Sequence, residues 1–129
     1  MKKQELVRYW TPLLGYIVIL TYLLFMPPGR GPHFLYVDKF CHLTFFALLG
    51  GLWVRIFHPV QSHWSSKKCI FMAVLGAFLY GGLTEIGQGL TGDRSAEWAD
   101  FLMDSLGGAL GGYCYFRLKQ WFTLKHIME

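Results

Sequence analysis

The stretch that decides how this chain is organised is residues 84–104, TEIGQGLTGDRSAEWADFLMD. It places polar and charged side chains between two apolar segments: Glu85, Gln88, Asp93, Arg94, Ser95, Glu97, Asp100 and Asp104. The other apolar segments are almost free of ionisable groups, so solubility alone does not explain this concentration. We therefore expect these residues to carry the function and the rest of the chain to support them.

The composition of the chain is that of a membrane protein. Of its 129 residues, 53% are hydrophobic, 18% are aromatic and only 16% are charged, which is too apolar for an ordinary soluble domain of this size. A hydrocarbon core of roughly 30 Å needs about 20 apolar residues per helix. Four stretches qualify, at residues 10–26, 40–57, 69–90 and 98–116. The sequence thus predicts an all-α protein, a single domain over 1–129 built as a bundle of four transmembrane helices.

The basic residues predict the orientation of the bundle. With both termini in the cytoplasm, the inner side holds Lys2, Lys3, Arg8, Arg55, Lys67, Lys68, Arg117, Lys119 and Lys125. The outer side then holds only Arg30, Lys39 and Arg94. This positive-inside bias favours the N-in/C-in arrangement. The basic residues form no continuous face that would follow a phosphate backbone, so we expect no nucleic-acid partner.

The start of the chain and its cysteines suggest no processing or redox chemistry. The N-terminal basic and apolar run resembles a signal peptide, but no small-x-small cleavage site follows, so we expect a retained first span. The cysteines Cys41, Cys69 and Cys114 have neither metal-site spacing nor an even disulfide count.

A second polar group precedes the opening stretch by more than forty residues. We expect the second helix to start near Asp38, whose carboxylate would accept free N–H groups of the first turn. Asp38 and His42 are four residues apart and share one helix face. Lys39 adds a positive charge beside them.

The last helix combines carboxylates with glycines. Asp100 and Asp104 lie four residues apart on one stripe. Below them follow Gly107, Gly108, Gly111 and Gly112, which form two overlapping G-x-x-x-G patterns typical of closely packed transmembrane helices. We therefore expect both aspartates to face the interior of the bundle. The glycine faces equally suit packing within the chain and a homo-oligomer.

The charges of this set do not balance. Asp38, Glu85, Asp100 and Asp104 stand against Lys39 and Arg94, and an ionised carboxylate deep in a span costs roughly 2.5–3.5 kcal/mol. A protonated His42, a protonated carboxyl group or a bound cation would each restore the balance. A divalent cation held by His42, Glu85, Asp100 and Asp104 is chemically reasonable, because carboxylates with one imidazole suit such ions.

A purely structural interpretation assigns these residues to holding helices together. In it, Arg94 ties the third helix to the fourth, Gln88 satisfies a backbone group, and Ser95 caps the last helix. Ser95 could also act as a nucleophile with His42 as base, but the helix-cap role is favoured. We favour a binding or processing site for the whole set, because three separate helices deliver polar groups to one depth.

The pattern resembles the VanZ-like family of small integral membrane proteins. The residues that carry the resemblance are Asp38, Lys39 and His42 as D-K-x-x-H, Glu85 and Gln88 as E-x-x-Q, Arg94 and Ser95 as R-S, and then Asp100, Asp104, Gly107 and Gly111. The resemblance implies a four-helix protein of the bacterial cytoplasmic membrane, and some members are linked to low-level teicoplanin resistance. Family members often carry asparagine at the position of Asp104, so this chain is more acidic there.

Together these observations predict an outward-facing polar cleft that binds or modifies a cell-envelope lipid or glycolipid. We expect His42, Asp38 and Glu85 as candidate catalytic residues, with His42 and Asp38 as the acid/base pair. Candidate ligand-binding residues are Lys39, Gln88, Arg94, Ser95, Asp100 and Asp104. Whether the protein is an enzyme stays open. The alternatives are a non-catalytic shield against amphipathic antibiotics and, less favoured, a small proton-coupled transporter.

Overall fold

A computed structural model describes residues 3–26, 35–60, 63–91 and 97–128, and within these ranges it is almost entirely α-helical. The four helices are α1 (Lys3–Leu24), α2 (Leu35–Val60), α3 (Ser66–Thr91) and α4 (Trp98–Met128). The described residues contain no strand. The predicted all-α fold of four helices is therefore confirmed.

Three of the described helices are long and apolar enough to cross a membrane. The qualifying segments are Val7–Leu24 in α1, Val37–Phe57 in α2 and Ser66–Thr91 in α3, close to three of the predicted spans. The fourth predicted span, 98–116, is the first part of α4, which continues to Met128. This part of α4 is less apolar because it contains two aspartates and four glycines.

The least apolar helix is also the most extensively packed one. The largest interface in the described fold joins α4 to α2, and the next joins α4 to α3. Polar side chains on a membrane helix are tolerated where they face protein rather than lipid. The central position of α4 therefore explains how it can carry Asp100 and Asp104 inside an apolar bundle.

Glycines allow α4 to approach two helices closely. A Cβ atom added at Gly107 would meet the backbone of Leu43 and Ala47, and one added at Gly111 would overlap the carbonyl oxygen of Ala47. On the adjacent stripe, Gly108 lies against Ala77 of α3. The glycine stripes predicted to pack closely thus do so within the chain.

Helix α1 lies at the edge of the bundle, against α2 and α3. The Tyr16 hydroxyl donates a hydrogen bond to the carbonyl oxygen of Phe45 (2.9 Å), and the hydroxyls of Thr21 and Tyr80 are 2.8 Å apart. The apolar core between these helices consists of Leu13, Leu20, Leu24, Phe46, Leu49, Ile56 and Ala77. Helix α1 is thus held to α2 and α3 by an apolar core and by these two hydroxyl contacts.

Two glycine-to-alanine substitutions test the close approach of α4 to α2. We expect Gly111→Ala to destabilise the protein by about 1–3 kcal/mol, because the new Cβ would push two backbones apart. Gly15→Ala is the matched control, since no atom lies near its added Cβ and alanine favours a helix over glycine by about 1 kcal/mol. Thermal unfolding in detergent should show a lower midpoint for Gly111→Ala and an unchanged or higher one for Gly15→Ala. Equal midpoints for the two variants would contradict the close approach.

Candidate functional site

Polar residues from three helices meet at one end of the bundle. The start of α2 contributes Asp38, Lys39 and His42, the end of α3 contributes Glu85, and the start of α4, with the residue before it, contributes Glu97, Asp100 and Asp104. We call these seven residues the acidic cluster. Residues separated by some sixty positions in the sequence are thereby in direct contact.

The most deeply buried contact of the acidic cluster joins α2 to α4. His42 Nδ1 lies 2.8 Å from Asp104 Oδ1, and the two residues are 2% and 0% exposed. The imidazole also stacks on Phe46, one turn further along α2. Gly81 of α3 leaves room for the Asp104 carboxylate, because a Cβ at position 81 would collide with it. A carboxylate on Nδ1 sets both the tautomer and the orientation of the ring.

The more exposed side of the acidic cluster contains its lysine. Lys39 Nζ lies 2.9 Å from Glu97 Oε2 and 3.5 Å from Asp100 Oδ1. The side chains of Lys39 and Glu97 are 25% and 42% exposed, whereas that of Asp100 is 8% exposed. The ion pairs therefore lead from the surface of the bundle inward to Asp100.

Glu85 links α3 to the beginning of α4. Its Oε2 accepts a hydrogen bond from the backbone N–H of Glu97 (3.0 Å), the residue that immediately precedes α4. A carboxylate at this place also interacts favourably with the positive end of the helix dipole. The second oxygen, Oε1, is buried and has no hydrogen-bond partner in the described fold. Glu85 is thus only partly satisfied by its neighbours.

Gln88 has a structural partner. Its side-chain Nε2 donates a hydrogen bond to the carbonyl oxygen of Leu24 (2.6 Å), at the end of α1. The last carbonyl groups of a helix have no partner within the helix. Gln88, predicted either as a ligand-binding residue or as satisfying a backbone group, thus ties α3 to α1 through a backbone carbonyl.

Asp104 is a hydrogen-bond partner of His42 that the sequence did not predict. The acid/base pair expected from the sequence was Asp38 with His42, whereas the hydrogen bond of the imidazole goes to Asp104. Helix α2 begins at Leu35, so Asp38 lies in its first turn rather than at its cap. The close approach of α4, made possible by its glycines, places Asp104 beside the ring. Asp38 stays near, with a carboxylate oxygen within 4.8 Å of the ligand atoms of His42 and Asp100.

The structure brings together only some of the other predicted site residues. Among the described residues, the group close enough to share a metal ion is Asp38, His42 and Asp100, rather than the predicted set with Glu85 and Asp104. Glu97 was not among the predicted site residues, although it stands three residues before Asp100 at the expected start of the last helix. The predicted ligand-binding residues Arg94 and Ser95 lie outside the described residues.

The charges of the acidic cluster are unbalanced. Its five carboxyl groups face one lysine and one histidine within the described part of the chain. Two buried carboxylate oxygens, Glu85 Oε1 and Asp104 Oδ2, have no hydrogen-bond partner there. Unpaired carboxylates away from water are costly. The acidic cluster therefore has carboxylate oxygens that could interact with a positively charged partner.

Comparison with known proteins identifies the family but supplies no close relative. No curated protein and no solved structure is significantly similar to this chain. The family model described as VanZ/LLP1 matches residues 13–120. This range includes all of α2 and α3 and every residue of the acidic cluster. The chain is a member of the VanZ/LLP1 family.

Proposed function

We propose that this membrane protein binds the polar headgroup of a cell-envelope lipid or glycolipid through the acidic cluster. The observation that carries the proposal is the surplus of buried carboxylate in that cluster, including the unpartnered oxygens of Glu85 and Asp104. Close packing of α4 needs only its glycines, so a set of buried acids adds cost without improving the packing. A ligand that supplies positive charge would offset that cost.

The charge of the acidic cluster narrows the class of ligand. A bare phosphate would meet five carboxyl groups and a lysine already paired with Glu97 and Asp100. An amine-bearing headgroup, or one bridged by a metal ion, complements the surplus negative charge. The exposed side of the cluster, at Lys39 and Glu97, is the side from which a headgroup would enter.

His42 is the residue best suited to proton transfer at this site. Asp104 engages Nδ1, so proton exchange with a ligand would take place at the other ring nitrogen, Nε2. Imidazole titrates near neutral pH in its unperturbed state. If the bound lipid is modified as well as bound, His42 with Asp104 is the acid/base pair we propose, and Glu85 orients the ligand.

A transporter fits the described residues less well. The buried polar side chains are His42, Thr84, Glu85, Gln88, Asp100 and Asp104, all at one end of the bundle. The described interior towards the other end is an apolar cluster around Val54, Cys69, Ala73 and Phe116. A proton or ion pathway needs polar groups along its length.

We further propose that the acidic cluster faces the outside of the cytoplasmic membrane, with both termini inside. The support is the distribution of basic residues, nine of which lie on the opposite side in this orientation. A green fluorescent protein fused to the C-terminus should fluoresce, and an alkaline phosphatase fusion at the same position should be inactive. An active phosphatase fusion would place the C-terminus outside and contradict the orientation.

The lipid ligand can be sought by comparing envelope lipids in cells with and without the protein. We expect the protein to change the amount or the modification of one lipid or glycolipid, and Glu85→Gln to abolish that change because it removes a buried negative charge. We expect His42→Ala to abolish the change as well. His63→Ala is its matched control, since His63 is exposed beyond the far end of α2. A lipid profile that never depends on the protein would contradict a modifying role.

Cells that produce these variants also distinguish a site that acts on a ligand from a passive shield against antibiotics. The family resemblance links the proposal to teicoplanin, so growth at increasing teicoplanin concentrations is the second readout. If protection acts through the acidic cluster, His42→Ala and Glu85→Gln lose it while His63→Ala keeps it. A shield would tolerate all three substitutions as long as the variants reach the membrane in equal amounts.

A further inference from the structure

Three side chains of the acidic cluster converge on a small volume. Asp38 and His42 lie one turn apart on α2, and Asp100 faces them from the first turn of α4. One ligand atom from each lies within 4.8 Å of the others. Ligand atoms that bind one ion at about 2.1 Å lie within about 4.2 Å of one another, so small side-chain adjustments bring this group to binding distance.

We propose that these three residues bind a divalent transition-metal ion, with His42 contributing Nε2 and Asp104 acting as a positioning residue. With the ion bound, Nε2 is occupied, so His42 acts as a metal ligand instead of exchanging a proton with the headgroup. With the Nδ1–H of His42 donating a hydrogen bond to Asp104 Oδ1 at 2.8 Å, the opposite ring nitrogen is the one that would bind the ion. Histidines that bind metals regularly donate their other N–H to a carboxylate, which sets the tautomer and raises the basicity of the ligand nitrogen. Asp104 is fully buried and so holds the ring without exchange with water.

A second observation, independent of the ligand spacing, also points to a cation. Glu85 is only 6% exposed, and its Oε1 has no hydrogen-bond partner within the described fold. It interacts electrostatically with Asp100, His42 and Asp104, so an unsatisfied buried carboxylate lies near two of the proposed ligands and the residue that positions His42. A divalent cation would stabilise this carboxylate and the two aspartate ligands together.

The ligand set selects the class of metal. Calcium and magnesium prefer oxygen ligands alone, whereas one imidazole with two carboxylates suits Zn²⁺ or Mn²⁺. Three protein ligands leave an open position on the ion, which is the arrangement of catalytic rather than structural zinc sites. An ion with an open position would hold a phosphate or hydroxyl group of the headgroup despite the negative charge of the surrounding carboxylates.

Metal binding can be measured on the purified protein in detergent, without any lipid. After treatment with a chelator, calorimetric titration with Zn²⁺ should show one saturable site per chain, and Co²⁺ should give visible absorption bands typical of a bound ion. Asp38→Asn should weaken the affinity at least tenfold. Asp104→Asn should weaken it about 10- to 100-fold, the range found for residues that orient metal ligands. His63→Ala, the control for surface histidines, should bind like the unmodified protein.

The substitution Asp38→Asn keeps the test interpretable because Asp38 is only partly buried at the start of α2. The helical content of the Asp38→Asn protein and its elution volume on size exclusion should match those of the unmodified chain. Absence of a saturable site in the unmodified protein, or equal affinities in the unmodified chain, Asp38→Asn and Asp104→Asn, would overturn the metal site. The lipid experiment is separate, so a metal that binds with no effect on lipids would contradict only the proposed lipid function.

Discussion

The contact between His42 and Asp104 is the interaction on which the arrangement of this bundle depends. An imidazole and a carboxylate meet at a position with almost no solvent access, where each would be costly without the other. They meet only because α2 and α4 approach closely at Gly107 and Gly111, and because Gly81 of α3 leaves space for the carboxylate. The His42–Asp104 pair therefore depends on the glycines that let the three helices approach closely.

This dependence explains why α4 occupies the centre of the described fold. In water, the most apolar element would form the core, but lipid is as apolar as leucine and gives apolar side chains no preference for the interior. The interior is the favourable place for polar groups that can find partners. Helix α4, with two aspartates near its start, packs against both α2 and α3, while the outward faces of α1 and α3 expose residues such as Val18 and Leu83.

The sequence predicts the helices and the close-packing face of α4 better than the contacts between polar side chains. Apolar stretch lengths indicated four helices, and the G-x-x-x-G spacing correctly indicated the face of α4 that packs against its neighbours. The hydrogen bond between His42 and Asp104 was not predicted, because spacing within one helix says nothing about which residue of another helix crosses at the same depth. The structural interpretation of the sequence already had Gln88 satisfying a backbone group, but which group it is, and the role of Glu97, depend on where α1 ends and α4 begins, and helix ends are poorly determined by composition.

The central claim is that the carboxylates of the acidic cluster beyond the His42–Asp104 pair, above all Glu85 with its unpartnered oxygen, serve to bind a ligand rather than to hold the helices together. The most direct measurement is the thermal unfolding of Glu85→Gln in detergent without added lipid or metal. Glutamine keeps an oxygen that can accept the hydrogen bond from the Glu97 N–H and removes one buried negative charge. Residues kept for function commonly lower stability, so the account predicts an unfolding midpoint equal to or higher than that of the unmodified protein. A midpoint several degrees lower would show that Glu85 stabilises the fold and would contradict the account.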